Sequence, residues 1–326
     1  MNKRFFSLIL FVRCDKIYKE RPGDYLSKKK KMNIIKSVIT VVLLIIAGVL
    51  WFALKDDTIP DGEVYQVPNG AAEFHFIDVG QGDATLIKVG SKNILIDTGK
   101  RSAKEALLNY LNNHGVTEIE YFVVTHFDSD HFENGVDILE NYDVKKLILP
   151  DQAKTNKTIE KFLTKVEEQV GTKDIEVLNA NEMIGQKLDV EQLELTVLAP
   201  LRNDYDDSND YSVTLMARYG NKRVLLTGDA EKEAEEDIVK RYTSGELDCD
   251  VYKLGHHGSR TSSSQGLLDL ATPEYVIISC GVGNEYGHPH PETMDRVSNL
   301  KIYRTDTQGS IVLTIANDVI TAKTEK

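Results

Sequence analysis

The chain has 326 residues, of which 41% are hydrophobic and 28% are charged, a globular composition that argues against collagen-like, low-complexity and wholly disordered chains. Its formal net charge of −12 argues against a protein that coats nucleic acid through general attraction to phosphate. The average hides a division. Residues 1–55 carry 12 Lys/Arg and 3 Asp/Glu, a net charge of +9, which leaves −21 for residues 56–326. We expect these two parts to lie in different surroundings.

The N-terminal segment has the pattern of a membrane anchor. Residues 37–54 contain no charge, and a run of 18 apolar residues is close to the roughly 20 that span a bilayer core. A block of four lysines precedes the run, so the positive-inside rule places residues 1–36 in the cytoplasm as a basic tail. We therefore expect a single-pass anchor in the cell membrane at residues 37–55, with the remainder extracellular.

Two other interpretations of the apolar run fit the sequence less well. A cleaved signal peptide would have a shorter apolar core and an A-x-A-like site, and no such site follows Leu54. A buried core helix fits poorly with the basic block before the run and the acidic break after it. Residues 56–72 hold two prolines and two glycines and are predicted to be a linker, so the main domain is expected at residues 73–326.

Strands and helices alternate through this domain. Strands are predicted at residues 74–79, 84–89, 93–99, 121–125, 144–150, 193–200, 212–220, 222–229, 251–255, 275–281, 302–306 and 310–316, from short apolar runs bounded by turns. Helices are predicted at residues 102–115, 158–171, 230–245, 265–271 and 291–299, from apolar residues at helical spacing. This order predicts an α/β fold of two sheets packed face to face, with helices outside.

A metal-binding pattern follows one of the buried strands. The sequence THFDSDHFENG at residues 125–135 puts His126, Asp128, Asp130 and His131 within six residues, directly after YFVVT. A strand that leads into a tight loop can turn four side chains towards one point. Imidazole and carboxylate ligands suit a divalent ion such as zinc or manganese. A solvated acidic turn is the alternative, but it does not account for two interleaved histidines.

Similar residues follow three other predicted strands. Asp229 ends LLTGD, the pair His256 and His257 follows VYKLG, and His288 and His290 follow YVIISCG after a short loop. Loops at strand ends are where α/β folds collect ligand chemistry. His75 and His114 have no carboxylate cluster beside them in the sequence and are expected to be structural.

These motifs carry a resemblance to a known family. The order HFDSDH, LLTGD and HHGS is similar to that of the metallo-β-lactamase superfamily. FIDVGQGDATLI, ILIDTG, HHGSRTSSS, YGHPHPE and TDTQGSI narrow the resemblance to the hydrolase domain of the ComEC family, over about residues 73–322. The resemblance implies a metallo-β-lactamase-like αββα four-layer sandwich, preceded here by one transmembrane helix, with a metal site at one edge.

The resemblance also implies the ligands of one or two divalent ions, Zn²⁺ or Mn²⁺. One ion would be held by Asp130, His131, Asp229 and one of His256 and His257. The other would be held by His126 and Asp128, with Asp229 bridging. Asp97 would orient a ligand through a hydrogen bond.

The sequence departs from the usual superfamily motif HxHxDH at two points. Asp128 stands where the second histidine would be, and no histidine lies between His131 and His256 to supply the usual third one. Asn209 and Ser212 occupy that region and resemble the pattern of the ComEC-like branch. The sequence is therefore compatible with two alternatives: a single well-held ion, or two ions of which the second is weakly bound.

The resemblance implies a hydrolase that uses a metal-activated water, with Asp130 and His257 at the reacting centre. We expect a phosphodiesterase or nuclease with a phosphodiester substrate, DNA being one candidate. Ser259 is a candidate phosphate contact. His288 and His290 are candidate proton donors or phosphate contacts, and a rigid structural turn is the alternative for these two histidines. A lactone or β-lactam hydrolase and a non-catalytic binding module that retains the fold are the competing functions. Protein partners are not indicated.

Overall fold

The computed structural model describes residues 65–173 and 175–326. The predicted basic tail and membrane anchor, and the linker as far as residue 64, lie outside these residues. Within the described part, no helix combines the length and apolar character needed to cross a bilayer.

Two sheets form the framework. The first has eight strands in the order β15-β14-β1-β2-β3-β4-β5-β6, and the second has seven in the order β13-β12-β11-β10-β9-β8-β7. The strands of the first sheet are β1 Ala71–Phe76, β2 Thr85–Val89, β3 Lys92–Ile96, β4 Glu118–Val123, β5 Asp143–Leu149, β6 Glu176–Asn179, β14 Ile311–Ala316 and β15 Val319–Thr324. Those of the second are β7 Lys187–Val190, β8 Leu193–Ala199, β9 Thr214–Tyr219, β10 Lys222–Leu226, β11 Val251–Lys253, β12 Tyr275–Ile278 and β13 Lys301–Arg304.

Helices connect the strands. Their bounds are α1 Lys104–Asn113, α2 Ser129–Phe132, α3 Gly135–Asn141, α4 Lys157–Lys173, α5 Lys232–Arg241, α6 Ser244–Leu247, α7 Gln265–Ala271, α8 Pro291–Arg296 and α9 Thr305–Gln308. Strands β3 to β6 run parallel to one another, as do β10 to β13, because helices or long loops cross between them.

Three apolar clusters define four layers. Successive side chains of a strand face opposite ways, so Ile87 packs into the core between the sheets while Leu86 packs outward. The inter-sheet core joins residues of both sheets, such as Phe74 and Leu215. Helices α1, α3 and α4 cover the outer face of the first sheet. Helices α5 and α7 cover that of the second. The expected two-sheet α/β sandwich is therefore confirmed.

Several boundaries differ from the sequence prediction. β1 begins at Ala71, so the last two residues of the predicted linker already belong to a strand. Both pair with β14, and Ala72 also pairs with Val89 of β2. The single helix predicted at 230–245 ends at Arg241, because Thr243 caps a separate short helix through reciprocal bonds with Glu246. Strands β6, β7 and β15 were not predicted, since half-exposed edge strands lack a clear apolar alternation.

Candidate metal centre

The predicted site residues come together where four strands end. Asp97 follows β3, the loop of residues 125–131 follows β4, and Asp229 and His257 follow β10 and β11. β3 pairs with β4 and β10 pairs with β11, in both cases in parallel. Parallel neighbours present their carboxyl ends at one edge of a sheet, so the residues after them converge.

His131 is held from behind by Asp97. Its Nδ1 lies 2.7 Å from Asp97 Oδ2, and the second oxygen of Asp97 accepts a hydrogen bond from the backbone N–H of Thr125 at 2.8 Å. A carboxylate can only accept, so in the neutral imidazole Nδ1 carries the proton and the lone pair is on Nε2. That atom lies 3.1 Å from Asp229 Oδ2. Asp97 therefore orients His131, in the position that the sequence predicted for it.

The charges of this group depend strongly on one another. Burial raises the pKa of the Asp97 carboxyl, although His131 acts against the rise. Burial alone would lower the pKa of His131, but the carboxylates of Asp229 and Asp97 raise it well above its ordinary value. Asp229 is also buried, yet His131 and His257 hold the pKa of its carboxyl well below the usual range. The charged form of Asp229 is thus stabilised by the positive charge of the neighbouring histidines.

The structure distinguishes the two adjacent histidines. His257 Nδ1 donates to the backbone oxygen of Ser279 at 2.9 Å, which leaves the lone pair of Nε2 facing Asp130 Oδ2 and Asp229 Oδ2, each at 3.3 Å. His256 instead places Nδ1 2.6 Å from Glu231 Oε1, and its Nε2 is 3.8 Å from Asp229 Oδ2. His257 therefore faces the cluster, and His256 lies at its side.

The backbone is strained at these two positions. His256 and His257 have φ angles of 46° and 55°, in the left-handed region that residues with a side chain rarely adopt. Gly258 follows with φ +82°, and a Cβ there would come within 2.6 Å of Pro289. Strain of this kind persists where the surrounding structure fixes it, which is common at functional sites.

Several buried polar atoms of the cluster have no hydrogen-bond partner among the described residues. They include Nε2 of three histidines and Oδ1 of an aspartate: His126, His131, His257 and Asp229. Leaving such atoms unpaired is costly, and a ligand at their common centre would remove the cost. Ligand atoms of His126, His131 and Asp229, and those of Asp130, His131 and His257, each lie within 4.8 Å of one another. Imidazole and carboxylate donors so arranged fit a divalent ion.

Asp128 lies apart from this cluster. Its Oδ1 is 4.0 Å from His126 Nε2, but it accepts hydrogen bonds from Lys154 Nζ at 2.5 Å and from Ser208 Oγ at 3.0 Å. Within the described part of the chain, Asp128 belongs to none of the groups whose ligand atoms converge. The structure therefore brings five of the seven predicted ligands to one place, His126, Asp130, His131, Asp229 and His257, whereas His256 lies beside them and Asp128 is paired with a lysine.

The remaining predicted site residues have differing positions. Ser212 is buried, and its Oγ accepts from the backbone N–H of Asp229 at 3.0 Å and lies 3.3 Å from His126 Nδ1. Asn209 points away and donates to Glu231 Oε1 at 3.4 Å. Ser259 Oγ lies 2.8 Å from the hydroxyl of Thr261. Ser212 thus supports the cluster, whereas Asn209 does not contact it.

The two histidines of the later loop form a wall beside the cluster. The ring of His288 is 5.3 Å from that of His256 and 6.2 Å from that of His257. Burial, followed by the charges of those histidines, lowers the pKa of His288 to about 4. His290 Nδ1 accepts from the backbone N–H of Arg260 at 3.1 Å, which directs this nitrogen towards the loop instead of the cluster. His288 is therefore the one nearer the converging ligands.

Three polar residues at the site were not identified from the sequence as site residues: Glu231, Lys154 and Lys253. Glu231 binds His256 and Thr261, and it follows Asp229 by two residues, a spacing that could have drawn attention to it. Lys253 is buried and pairs with the buried Asp83, beneath His257. Lys154 contacts Asp128 from a loop 26 residues further along the chain than Asp128, and no local sequence pattern indicates this contact.

Comparison with known proteins places the chain in a family. A family model of the metallo-beta-lactamase superfamily matches residues 77–282. The chain therefore belongs to the metallo-β-lactamase superfamily, whose members are generally metal-dependent hydrolases, and the expectation from the motifs is confirmed.

Its relatives place it with ComEC-like proteins. ComE operon protein 3 of Bacillus subtilis is 28% identical over 276 residues, which are 78% of this chain and 34% of that protein. Recombination protein 2 of Haemophilus influenzae is 29% identical over 300 residues, 90% of this chain and 33% of that one. Competence protein ComA of Neisseria gonorrhoeae is 30% identical over 248 residues, 75% of this chain and 32% of that one. The chain thus spans about a third of the length of these relatives.

One solved structure to which the chain is similar is the metallo-beta-lactamase fold protein YhfI from Bacillus subtilis. It matches with a TM-score of 0.48 and 11% sequence identity, over 73% of this chain and 98% of that one.

Proposed function

We propose that this chain is a metal-dependent phosphodiesterase or nuclease. The observation that carries the proposal is a set of buried atoms without a hydrogen-bond partner among the described residues, namely Nε2 of His126, His131 and His257 and Oδ1 of Asp229. The partly exposed carboxylate of Asp130 converges with His131 and His257. When bound there, a divalent ion supplies Lewis acidity and makes water a nucleophile near neutral pH. Zn²⁺ and Mn²⁺ both suit these donors.

The residues divide the remaining work between them. His131, His257, Asp130 and Asp229 hold the ion, and Asp97 keeps the lone pair of His131 directed at it. Contact with the substrate is assigned to His288, since its ring lies beside the cluster and 8% of the residue is exposed.

A phosphodiester substrate is supported by the relatives and by the rim of the site. One relative is named as a recombination protein and another as a competence protein, names that suggest a DNA-related substrate, although the chain spans only about a third of each. Ser259, Thr261 and Arg260 lie on the loop after His257 and carry donors of the kind that phosphate oxygens accept. An acidic domain can still bind such a substrate, because a bound cation reverses the potential locally.

The test is nuclease activity of the purified full chain on plasmid and single-stranded DNA, with Mn²⁺ or Zn²⁺. We expect cleavage that Asp130→Asn abolishes and that Asp137→Asn, a nearly buried aspartate on helix α3, leaves unchanged. Intact DNA in both metals would refute the nuclease proposal. A chromogenic phosphodiester and a chromogenic β-lactam in the same panel separate a general phosphodiesterase from a β-lactam hydrolase. A purified chain without bound transition metal would favour a binding module.

We propose in addition that the chain is anchored in the cell membrane with its hydrolase domain outside. Support comes from the lysine block and the uncharged run at residues 37–54. Carbonate extraction of membranes and protease treatment of intact cells test this. Release of the chain by carbonate, or protection of the domain from protease until cells are lysed, would contradict it.

A further inference from the structure

Lys154 is built into the edge of the metal centre. Its Nζ donates to Asp128 Oδ1 at 2.5 Å and lies 3.3 Å from Ser208 Oγ, which donates to the same oxygen. Gln152, two residues before it, accepts from the backbone N–H of Phe127 at 2.9 Å and donates to the backbone oxygen of Ser208 at 3.0 Å. The loop that carries Lys154 is therefore fastened to both segments that flank Asp128.

This arrangement changes what Asp128 can do. The oxygen nearest His126 is already shared by an ammonium and a hydroxyl. The second metal position that the resemblance implies needs His126, Asp128 and Asp229. Ligand atoms of His126 and Asp229 converge with one of His131, but Asp128 lies outside every converging group in the described structure. Ser212, in the region where a further ligand could stand, is instead bonded to the backbone of Asp229. The positive charge that Asp128 faces is therefore the ammonium of Lys154.

We propose that the centre holds one metal ion and that Lys154 takes the place of a second one, supplying the second positive charge that faces an anionic substrate oxygen. The side chain of Lys154 is 35% exposed and that of Asp128 is 33% exposed, so the pair lies at the mouth of the site. An ammonium has three N–H donors, and Asp128 and Ser208 engage two of them. The third is available to a phosphate oxygen. The substrate part of this inference rests on the proposed function, whereas the metal part does not.

Metal titration tests the first part without any activity assay. The purified full chain is titrated with MnCl₂ alone and in parallel with ZnCl₂ alone. We expect one ion per chain. In the Asp128→Asn chain, the affinity for the metal ion should stay within about twofold of that of the unaltered chain. In the Asp130→Asn chain, the same affinity should fall more than about tenfold. Two equivalents of similar affinity in the unaltered chain would overturn the inference, and so would an equal loss in both variants.

Lysine variants test the role of the charge. Lys154→Met removes the ammonium and frees Asp128, so we expect a second, weaker Mn²⁺ equivalent to appear in the titration. Lys187→Met is the matched control, since Lys187, on strand β7, also pairs with a carboxylate: its Nζ lies 2.8 Å from an oxygen of Glu194. We expect this control to keep one equivalent. No second equivalent in Lys154→Met would show that the lysine serves only as a strut, and would overturn the inference.

Steady-state kinetics on a chromogenic phosphodiester test the substrate contact. Lys154→Met should lower kcat/KM about tenfold, the equivalent of about 1.4 kcal/mol. Lys154→Arg should restore most of it, because the charge returns. Equal loss in both variants would refute the contact. If neither the variants nor the unaltered chain cleave any phosphodiester, the proposed function and the substrate contact fail together, and the metal titration still decides the metal part.

Discussion

Asp97 provides a direct test of how the metal centre is organised. Its Oδ2 accepts from His131 Nδ1 and from Thr125 Oγ1, both at 2.7 Å, and its Oδ1 accepts from the backbone N–H of Thr125 at 2.8 Å. Asp97→Asn preserves the size of the side chain. Asparagine also tolerates the left-handed φ of 59° at this position. The substitution therefore changes one acceptor into a donor with little other disturbance.

The consequence reaches the ion through a proton. If the amide oxygen keeps the bond to the backbone of Thr125, the amide NH₂ faces His131 Nδ1, which must then accept. The proton of His131 moves to Nε2, the atom that lies 3.1 Å from Asp229 and faces the cluster. Loss of such a supporting partner weakens metal binding by about 10- to 100-fold, or about 1.4 to 2.7 kcal/mol.

The assay is competition between the full chain and a fluorescent chelator for Mn²⁺ or Zn²⁺. Asp137→Asn is the control, since that aspartate is nearly buried and pairs with Arg101 and Lys104 without touching a histidine. We expect the control to stay within about twofold of the unaltered chain. Circular dichroism establishes that both variants are folded. A folded Asp97→Asn chain with unchanged metal affinity would refute the reasoning.

Two further predictions follow from buried groups. Burial raises the pKa of Glu235 from 4.5 to about 7, so its contribution to stability is full below about pH 4.5 and falls by about 3 kcal/mol as pH rises through 7. Urea unfolding of the metal-free chain should show this decline, Glu235→Gln should lack it, and parallel curves would contradict it. Gly82→Ala would put a Cβ 2.5 Å from the backbone oxygen of Asp130, costing about 1–3 kcal/mol and weakening Mn²⁺ binding, whereas Gly266→Ala meets nothing within 4 Å. Equal unfolding free energies for these two glycine variants would refute the clash.

The order of the fold could be predicted because its central strands are continuous apolar runs. YFVVT and KRVLLTGD indicate β4 and β10, and the polar residues that end them indicate where ligands gather. The edge strand Val319–Thr324 could not be found in this way. Four of its six residues are exposed, because it pairs with a neighbouring strand on one side only. Local pattern reports burial, and an edge strand has little of it.

The identity of the ligands depends on contacts between distant segments. His256 and His257 are adjacent residues of the same type, so the sequence does not show which of them is the metal ligand. The choice is made by Ser279, whose backbone oxygen takes the Nδ1 proton of His257, and by Glu231, which takes His256. These partners are 22 and 25 residues away in the chain, beyond the reach of any periodicity.

The acidic charge of the domain is arranged in a way that favours a single cation. Asp83 is paired with Lys253 at the floor of the site, and Asp128 is paired with Lys154 at its mouth. The lysines cancel these two charges. Asp97 lies behind His131 and is bonded to its Nδ1. Asp130 and Asp229 are the carboxylates that face the unpaired imidazole nitrogens, and one divalent ion balances the charge of these two. A second divalent ion would have to displace an ammonium from Asp128. The local pairing of charges, more than the net charge of the chain, therefore determines how this site meets an anionic substrate.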